Sequence, residues 1–256
     1  MMPNAIYRPH RIGYFLLISL IAMGLKFHYS RADSGDLLWI LAPTAGLVEV
    51  ISGIPFDYET DTGFVNRAHR MIIAPSCAGV NFLIIAFCMS AFFGLKRFSV
   101  TPARLAWVGS SLLIGYLSAL TVNALRIVMS VQLYRSHFYS AWLTPEQAHR
   151  AGGVALYFLF LSVIYAVLWA ALRDRATSGS RQETAFFGGL PRWGVVPAAW
   201  YLVFAILIPI LLQFYRGWNE RFFEHGLTVG IICGVLVILM TVIRLSFVRI
   251  ADKMGR

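Results

Sequence analysis

The chain has 256 residues, of which 58% are hydrophobic and 13% are charged, whereas an average soluble domain has roughly 45–50% apolar and about 25% charged residues. This composition excludes an ordinary water-soluble enzyme. The 22 Lys and Arg residues outnumber the 12 Asp and Glu residues, which leaves a net charge of +10. In a soluble protein this excess indicates nucleic-acid binding, but in a membrane protein it indicates which loops face the cytoplasm, and we predict no nucleic-acid partner.

Long apolar runs recur along the chain, and about 20 residues are needed for a helix to cross the hydrocarbon core. They predict an all-α fold, a polytopic transmembrane helical bundle with six spans. The first span is short, so it requires Lys26 to snorkel or Phe27 and Tyr29 to extend it into the interface. In chain order the six spans lie at residues 12–25, 71–95, 105–133, 151–172, 193–215 and 226–243.

The segment 37–56 is apolar but is interrupted by proline and glycine, and Glu49 lies within it. It either crosses the membrane or enters it and returns on the same side. Irregular backbone at membrane depth is tolerated only against protein or a water-filled cavity, so we expect this segment to pack inside the bundle. If it returns, the N-terminus is cytoplasmic, and if it crosses, the N-terminus is external.

Basic residues concentrate in the loops 96–104 and 173–192 and in the C-terminal tail. Lys and Arg in short loops mark the cytoplasmic side, so the intervening loops 135–150 and 216–225 are predicted to be external. The span from residue 71 then begins at the outer face, and the loop 57–70 before it is also external. We therefore predict a multi-pass protein of the cell (inner) membrane. Its predicted parts are a transmembrane bundle at 1–172, to which the candidate catalytic residues described below belong, a cytoplasmic loop at 173–192, and an accessory hairpin with a basic tail at 193–256.

Three residues of reactive type lie near the predicted outer ends of consecutive spans. Cys77 is about seven residues, or roughly 10 Å, below the outer end of its span. Arg126 lies near the outer end of the next span, and His149 directly precedes the one after. We expect the thiol, the guanidinium and the imidazole to meet at a similar depth, near the external or periplasmic face.

These groups are the ones that a cysteine acyl-transfer site needs. A thiolate is the nucleophile, and a neighbouring cation stabilises it. Histidine acts as a base and then as an acid toward the leaving amine, and arginine stabilises the oxyanion or holds the substrate backbone. Asn81 lies four residues after Cys77, and Asn123 three residues before Arg126. Helical spacing places each asparagine beside its neighbour, so both are candidates for a supporting hydrogen bond or for substrate binding.

Each of these residues also has a structural interpretation. Cys77 is then an inert small hydrophobe, and His149 an ordinary interfacial residue. A charged residue within a span needs a partner, and Glu49 is the natural partner for Arg126. No metal ligand or cofactor is predicted, because C-x-x-C, H-E-x-x-H and phosphate-cradling glycine motifs are missing from the sequence.

Three short runs that contain these residues resemble motifs of the exosortase/archaeosortase family of polytopic membrane transpeptidases. The runs are PSCAGVNF at 75–82, NALRI at 123–127 and HRAGG at 149–153. The resemblance covers residues 57–172 and depends on the order Cys, Arg, His on consecutive helices. It implies that Cys77 is the nucleophile, Arg126 the arginine of a triad and His149 the general acid/base. Ala78 departs from the family, in which serine is more common at this position.

The resemblance implies a membrane-embedded cysteine protease or transpeptidase. Its substrate would be an exported, membrane-anchored protein with a PEP-CTERM-like sorting tail, which consists of a short motif, a hydrophobic helix and a basic end. The enzyme would form a thioester and pass it to an acceptor, whose identity stays open. The residues alone also allow a transporter or assembly factor with a buried Arg126–Glu49 pair. A cysteine acyltransferase is a third class, but it predicts a cytoplasmic thiol, contrary to the charge pattern.

Overall fold

The computed structural model describes residues 9–95, 97–98, 100–135, 144–172, 192–208, 210 and 220–254. Within these ranges the chain is mostly helical. Its contacts divide it into two compact units, Met1–Gln132 and Leu133–Arg256. The division falls within one long helix, whereas the sequence places the end of the catalytic bundle at residue 172.

The first unit contains four helices, which we number in chain order. They are α1 (Pro9–Arg31), α2 (Leu38–Ser52), α3 (Val80–Leu95) and α4 (Thr101–Arg135). Helix α1 packs antiparallel to α3: the rings of Phe15 and Phe92 stack 5.1 Å apart near one end, and Lys26 Nζ donates a 2.8 Å hydrogen bond to Asn81 near the other.

Helix α3 is the central helix of this unit. Every residue from Phe82 to Ala91 is buried, as expected for a helix that is apolar on all sides. Helix α4 runs against it at close range. A Cβ atom at Gly115 would lie 3.0 Å from the carbonyl oxygen of Leu83 and 3.1 Å from the backbone nitrogen of Phe87. A small residue at this position therefore sets the distance between the two helices.

The interrupted segment predicted at 37–56 forms the short helix α2, which has 15 residues and contains Pro43. Gly53 ends the helix in the left-handed conformation with φ of 69°, as is usual at helix C-termini. The helix contacts α4, where the Tyr116 hydroxyl donates a 2.8 Å hydrogen bond to the Trp39 carbonyl oxygen. At 1.5 Å per residue, α2 is about 22 Å long, which is shorter than the hydrocarbon core.

A small antiparallel sheet follows α2, so the fold is mostly helical and not all-α. Its strands, in the spatial order β1-β2-β3, are β1 (Asp57–Glu59), β2 (Gly63–Asn66) and β3 (Met71–Ile73). The buried Asn66 side chain ties β2 to the segment after α2 through a 2.6 Å hydrogen bond to the Pro55 carbonyl oxygen. The loop predicted at 57–70 is therefore ordered, and the span predicted from residue 71 begins with a strand.

The second unit contains α5 (Pro145–Leu172), α6 (Arg192–Leu202, extended by a π-helical turn at Val203–Leu207) and α7 (Glu220–Met254). Helix α5 packs against both α6 and α7. It begins with a capping box. The Thr144 hydroxyl accepts a hydrogen bond from the N–H of Gln147, and the Gln147 side chain accepts one from the N–H of Thr144.

In the part of the chain that the structure describes, five helical segments are long and apolar enough to cross a membrane, namely Ile12–Arg31, Pro75–Leu95, Thr101–Leu133, Gln147–Leu172 and Gly226–Ile243. They match five of the six predicted spans, and the first extends beyond Lys26 to Arg31. The remaining span, 193–215, is described only as the shorter apolar segment Gly194–Leu207, so the count of six stays a prediction. Most of the predicted cytoplasmic loop, 173–191, lies outside the described residues.

Candidate functional site

Cys77 lies on a single 3₁₀ turn, Pro75–Cys77, between strand β3 and helix α3. Proline suits the first position of such a turn because its φ angle is already fixed near the helical value. The N–H of Cys77 donates to the carbonyl oxygen of Ala74 at 2.8 Å, and the N–H of Ala78 to that of Pro75 at 3.1 Å. The thiol therefore sits on a tight turn at the entrance to α3.

This position corrects the predicted secondary structure around Cys77. The sequence predicts a site about seven residues down a continuous helix, whereas Cys77 lies before Val80, the first residue of α3. Pro75 disfavours helical backbone in the residue before it, and Gly79 interrupts the helix with a φ of +72°. The helical-spacing argument for Asn81 therefore fails, because Cys77 is not on the same helix.

Asn123 of α4 contacts the Cys77 turn directly. Its side chain is completely buried, and its amide Nδ2 donates a hydrogen bond to the Cys77 carbonyl oxygen. Gly79 lies beside the same amide, since a Cβ atom there would be 3.2 Å from Asn123 Cγ. The structure thus brings Cys77, Gly79 and Asn123 together, although 46 residues separate Cys77 from Asn123.

Arg126 lies three residues beyond Asn123 on the same continuous helix, α4. Its side chain is partly buried, and its Nε atom is shielded from solvent. Residues three apart on a helix are neighbours on its surface. The helix that holds the Cys77 turn therefore also carries the candidate arginine.

The Glu49 carboxylate has a backbone partner at the end of α2. Its Oε1 accepts a 2.6 Å hydrogen bond from the N–H of Phe56. This contact fixes the chain between α2 and β1. It gives no support to the alternative in which Glu49 pairs with Arg126.

His149 belongs to the second unit, where it lies in the first turns of α5 and is partly buried. Cys77 and Arg126 belong to the first unit. The participation of His149 in a triad with them stays a prediction.

The three cysteines differ in exposure. Cys77 is partly exposed, whereas Cys88 and Cys233 are 2% and 1% exposed. All three are free thiols. A nucleophile must reach its substrate, so Cys77 is the thiol best placed for chemistry. Within the ranges described above, no cluster of three or more His, Cys, Asp or Glu side chains is arranged to hold a metal ion.

Two features near this site were missed by the sequence analysis. Lys26 of α1 bonds to Asn81 in the first turn of α3, and a lysine within an apolar span is the signal that points to such a contact. An apolar groove of about 710 Å³ also lies between α2 and α4. Its lining includes Gly46, Leu47 and Val50 from α2 and Leu117, Leu120 and Thr121 from α4.

Comparison of the chain with protein-family models, with curated proteins and with solved structures gives no match. The resemblance to exosortases and archaeosortases therefore depends on the three short runs in the sequence, and membership of that family is a proposal.

Proposed function

We propose that the protein is a membrane-embedded cysteine transpeptidase or protease of the exosortase type, which removes a C-terminal sorting tail from exported proteins. The observation that carries this proposal is the Cys77 turn. A partly exposed thiol sits on a turn whose carbonyl is bound by the buried amide of Asn123. Arg126 follows on the same helix. A structural cysteine buried in a span needs no such support.

In the proposed reaction the Cys77 thiolate attacks the carbonyl carbon of the scissile peptide bond. A C–S bond forms, and the carbonyl oxygen becomes an oxyanion that Arg126 stabilises. When this intermediate collapses, the C–N bond breaks and the leaving amine takes a proton from His149. The remaining thioester is then attacked by an acceptor nucleophile or by water, which gives its proton to the now neutral His149. The C–S bond breaks, and the Cys77 thiolate and the protonated His149 are restored.

The packing of α1 supports a return of α2 to the side from which it entered. At one end of α1 the Tyr14 hydroxyl lies 3.5 Å from the Thr101 carbonyl oxygen, and the Arg104 guanidinium lies over the Tyr14 ring. At the other end Lys26 bonds to Asn81. Because α1 and α3 run in opposite directions between these ends, the chain leaves α1 and enters α3 at the same end, the Cys77 end.

This arrangement gives one consistent topology. The start of α1 shares a side with the basic connection between α3 and α4, so we propose that both are cytoplasmic. The sheet and Cys77 are then external. Helix α2 then lies between two segments on the external side and does not cross the bilayer, for which its 15 residues are too few.

The groove between α2 and α4 is the proposed place for the hydrophobic helix of the tail. Leu120 lines it and lies three residues before Asn123, so the α4 wall of the groove continues toward the Cys77 turn. Gly46 lines the other wall, and a Cβ atom there would meet nothing within 4 Å. Small residues let two membrane helices approach closely. A tail helix held here would present its external end near Cys77.

Tail removal is the direct test of this function. Exported reporter proteins would be fused to C-terminal sorting tails taken from proteins of the organism that encodes this chain. Each reporter would be expressed with the wild-type protein and with Cys77→Ala, Arg126→Ala and Cys88→Ala. We expect the first two variants to leave the tail uncut, and Cys88→Ala, the buried-cysteine control, to cut it. Processing by Cys77→Ala, or its loss only in Cys88→Ala, contradicts the proposal.

A further inference from the structure

We infer that Asn123 is the positioning residue of the candidate nucleophile: its amide sets the orientation of Cys77 through the backbone carbonyl, and Gly79 provides the space that the amide requires. The inference rests on the proposed function, because positioning matters only if the Cys77 thiol reacts.

The hydrogen bond from Asn123 holds the Cys77 turn against α4. Asn123 is 0% exposed, and a buried amide without a partner is costly. Within the Cys77 turn, the carbonyl oxygens of Ala74 and Pro75 accept backbone N–H groups. The Cys77 carbonyl oxygen takes the side chain of Asn123 from another helix. This contact therefore fixes the peptide plane that directly follows the thiol-bearing residue.

The backbone at Gly79 is shaped to leave room for the Asn123 side chain. Its φ of +72° is one that residues with a Cβ atom rarely adopt. A Cβ atom there would also lie within 3.2 to 3.4 Å of three atoms of the Asn123 side chain. Any larger residue would therefore push on the amide that holds Cys77. Two independent features of the turn depend on the same side chain.

The consequence for the site follows from helix α4. Asn123 and Arg126 are one turn apart on a continuous helix, so the hydrogen bond fixes Cys77 relative to the helix that carries the arginine. Loss of the bond frees the turn to move while Arg126 stays in place. We expect the reactivity of the Cys77 thiol to fall, and kcat for tail removal to fall with little change in KM.

The experiment compares Asn123→Leu, which is similar in size but has no amide, with Asn123→Gln and Gly79→Ala in the full-length membrane-embedded protein. Cys88→Ala and Cys233→Ala in the background leave Cys77 as the thiol measured. The readouts are the rate of Cys77 alkylation by iodoacetamide across pH, kcat and KM for tail removal, and the melting temperature. Ser111→Ala is the matched control, since Ser111 is a buried polar residue of α4 whose hydroxyl bonds within its own helix.

We expect Asn123→Leu to lower the alkylation rate and kcat by about tenfold, the equivalent of one hydrogen bond, and to change the pH profile of alkylation. Asn123→Gln should recover part of the loss, and Ser111→Ala should behave like the parent. An unchanged rate and pH profile in folded Asn123→Leu overturns the inference. If Asn123→Leu does not fold, the same measurements on Gly79→Ala take its place. A Gly79→Ala variant with the alkylation rate and pH profile of the parent overturns the inference.

Alkylation needs no substrate, so it separates the two proposals. A parent protein that never removes a tail but shows Asn123-dependent thiol reactivity contradicts the proposed function and supports the positioning role. If the parent protein removes tails, and substitution of Asn123 changes neither kcat nor the alkylation rate, the proposed function is supported and the positioning role of Asn123 is contradicted.

Discussion

Gly115→Ala tests whether α3 and α4 are as close as the structure shows. The new Cβ atom would lie 3.0 Å from the Leu83 carbonyl oxygen and 3.1 Å from the Phe87 nitrogen, both of them backbone atoms that cannot rotate away. Inserting a methyl group into a well-packed contact costs typically about 1–3 kcal/mol. The helices must separate, and α4 carries Asn123, so the contact with the Cys77 turn also weakens.

Gly109→Ala is the matched control for this change. Gly109 lies on the same helix, and a Cβ atom there meets nothing within 4 Å. Replacing a helical glycine with alanine favours the helix by about 1 kcal/mol at either position. That gain cancels in the comparison, so the difference between the variants isolates the packing cost.

The assay is thermal unfolding of the purified protein in detergent, with soluble protein measured after heating by size-exclusion chromatography. A packing cost of about 1–3 kcal/mol corresponds to a melting temperature roughly 2–12 °C lower for Gly115→Ala than for Gly109→Ala. Equal melting temperatures, or a higher value for Gly115→Ala, would refute the close approach of α3 and α4.

Two further predictions concern the tail and the topology. Gly46→Leu should fill the groove and reduce tail removal severalfold, while the rate of Cys77 alkylation stays unchanged. Gly24→Leu, on an open face of α1, should change neither tail removal nor alkylation. Equal losses of tail removal in both variants would exclude the groove as the tail site. An epitope tag at the N-terminus should be protected from protease added to spheroplasts, and one inserted at Asp61 should be cut. Cleavage of the N-terminal tag would show that α2 crosses the membrane.

Hydropathy is sufficient to predict most of the helices, because a membrane-spanning helix requires a long apolar run that is visible in the sequence. The sheet is less visible, since its strands have three or four residues each. Met71–Ile73 is apolar and adjoins the apolar run of α3, so hydropathy alone places it in the same span. Pro75 and Gly79 were the local signals that a turn separates the two.

The candidate site is predictable in part, because some of its residues are unusual within an apolar span. Cys77 and Arg126 stand out by residue type, and a charge within a span is expensive enough to indicate a role. Asn123 was predicted to support Arg126 by helical spacing, but its contact with the Cys77 carbonyl joins two helices. Such a contact depends on how α3 and α4 pack, and spacing along one helix carries no information about it.

In the proposed reaction Cys77 forms a thioester with the substrate. The most direct measurement is mass spectrometry of the protein isolated during tail removal, quenched in acid and digested, with Cys77→Ala treated in parallel. We expect a peptide in which Cys77 is joined through its sulfur to the new C-terminus of the substrate, and we expect no such peptide from Cys77→Ala. An acyl group on Cys88 or Cys233, or tail removal by Cys77→Ala at the wild-type rate, would contradict it.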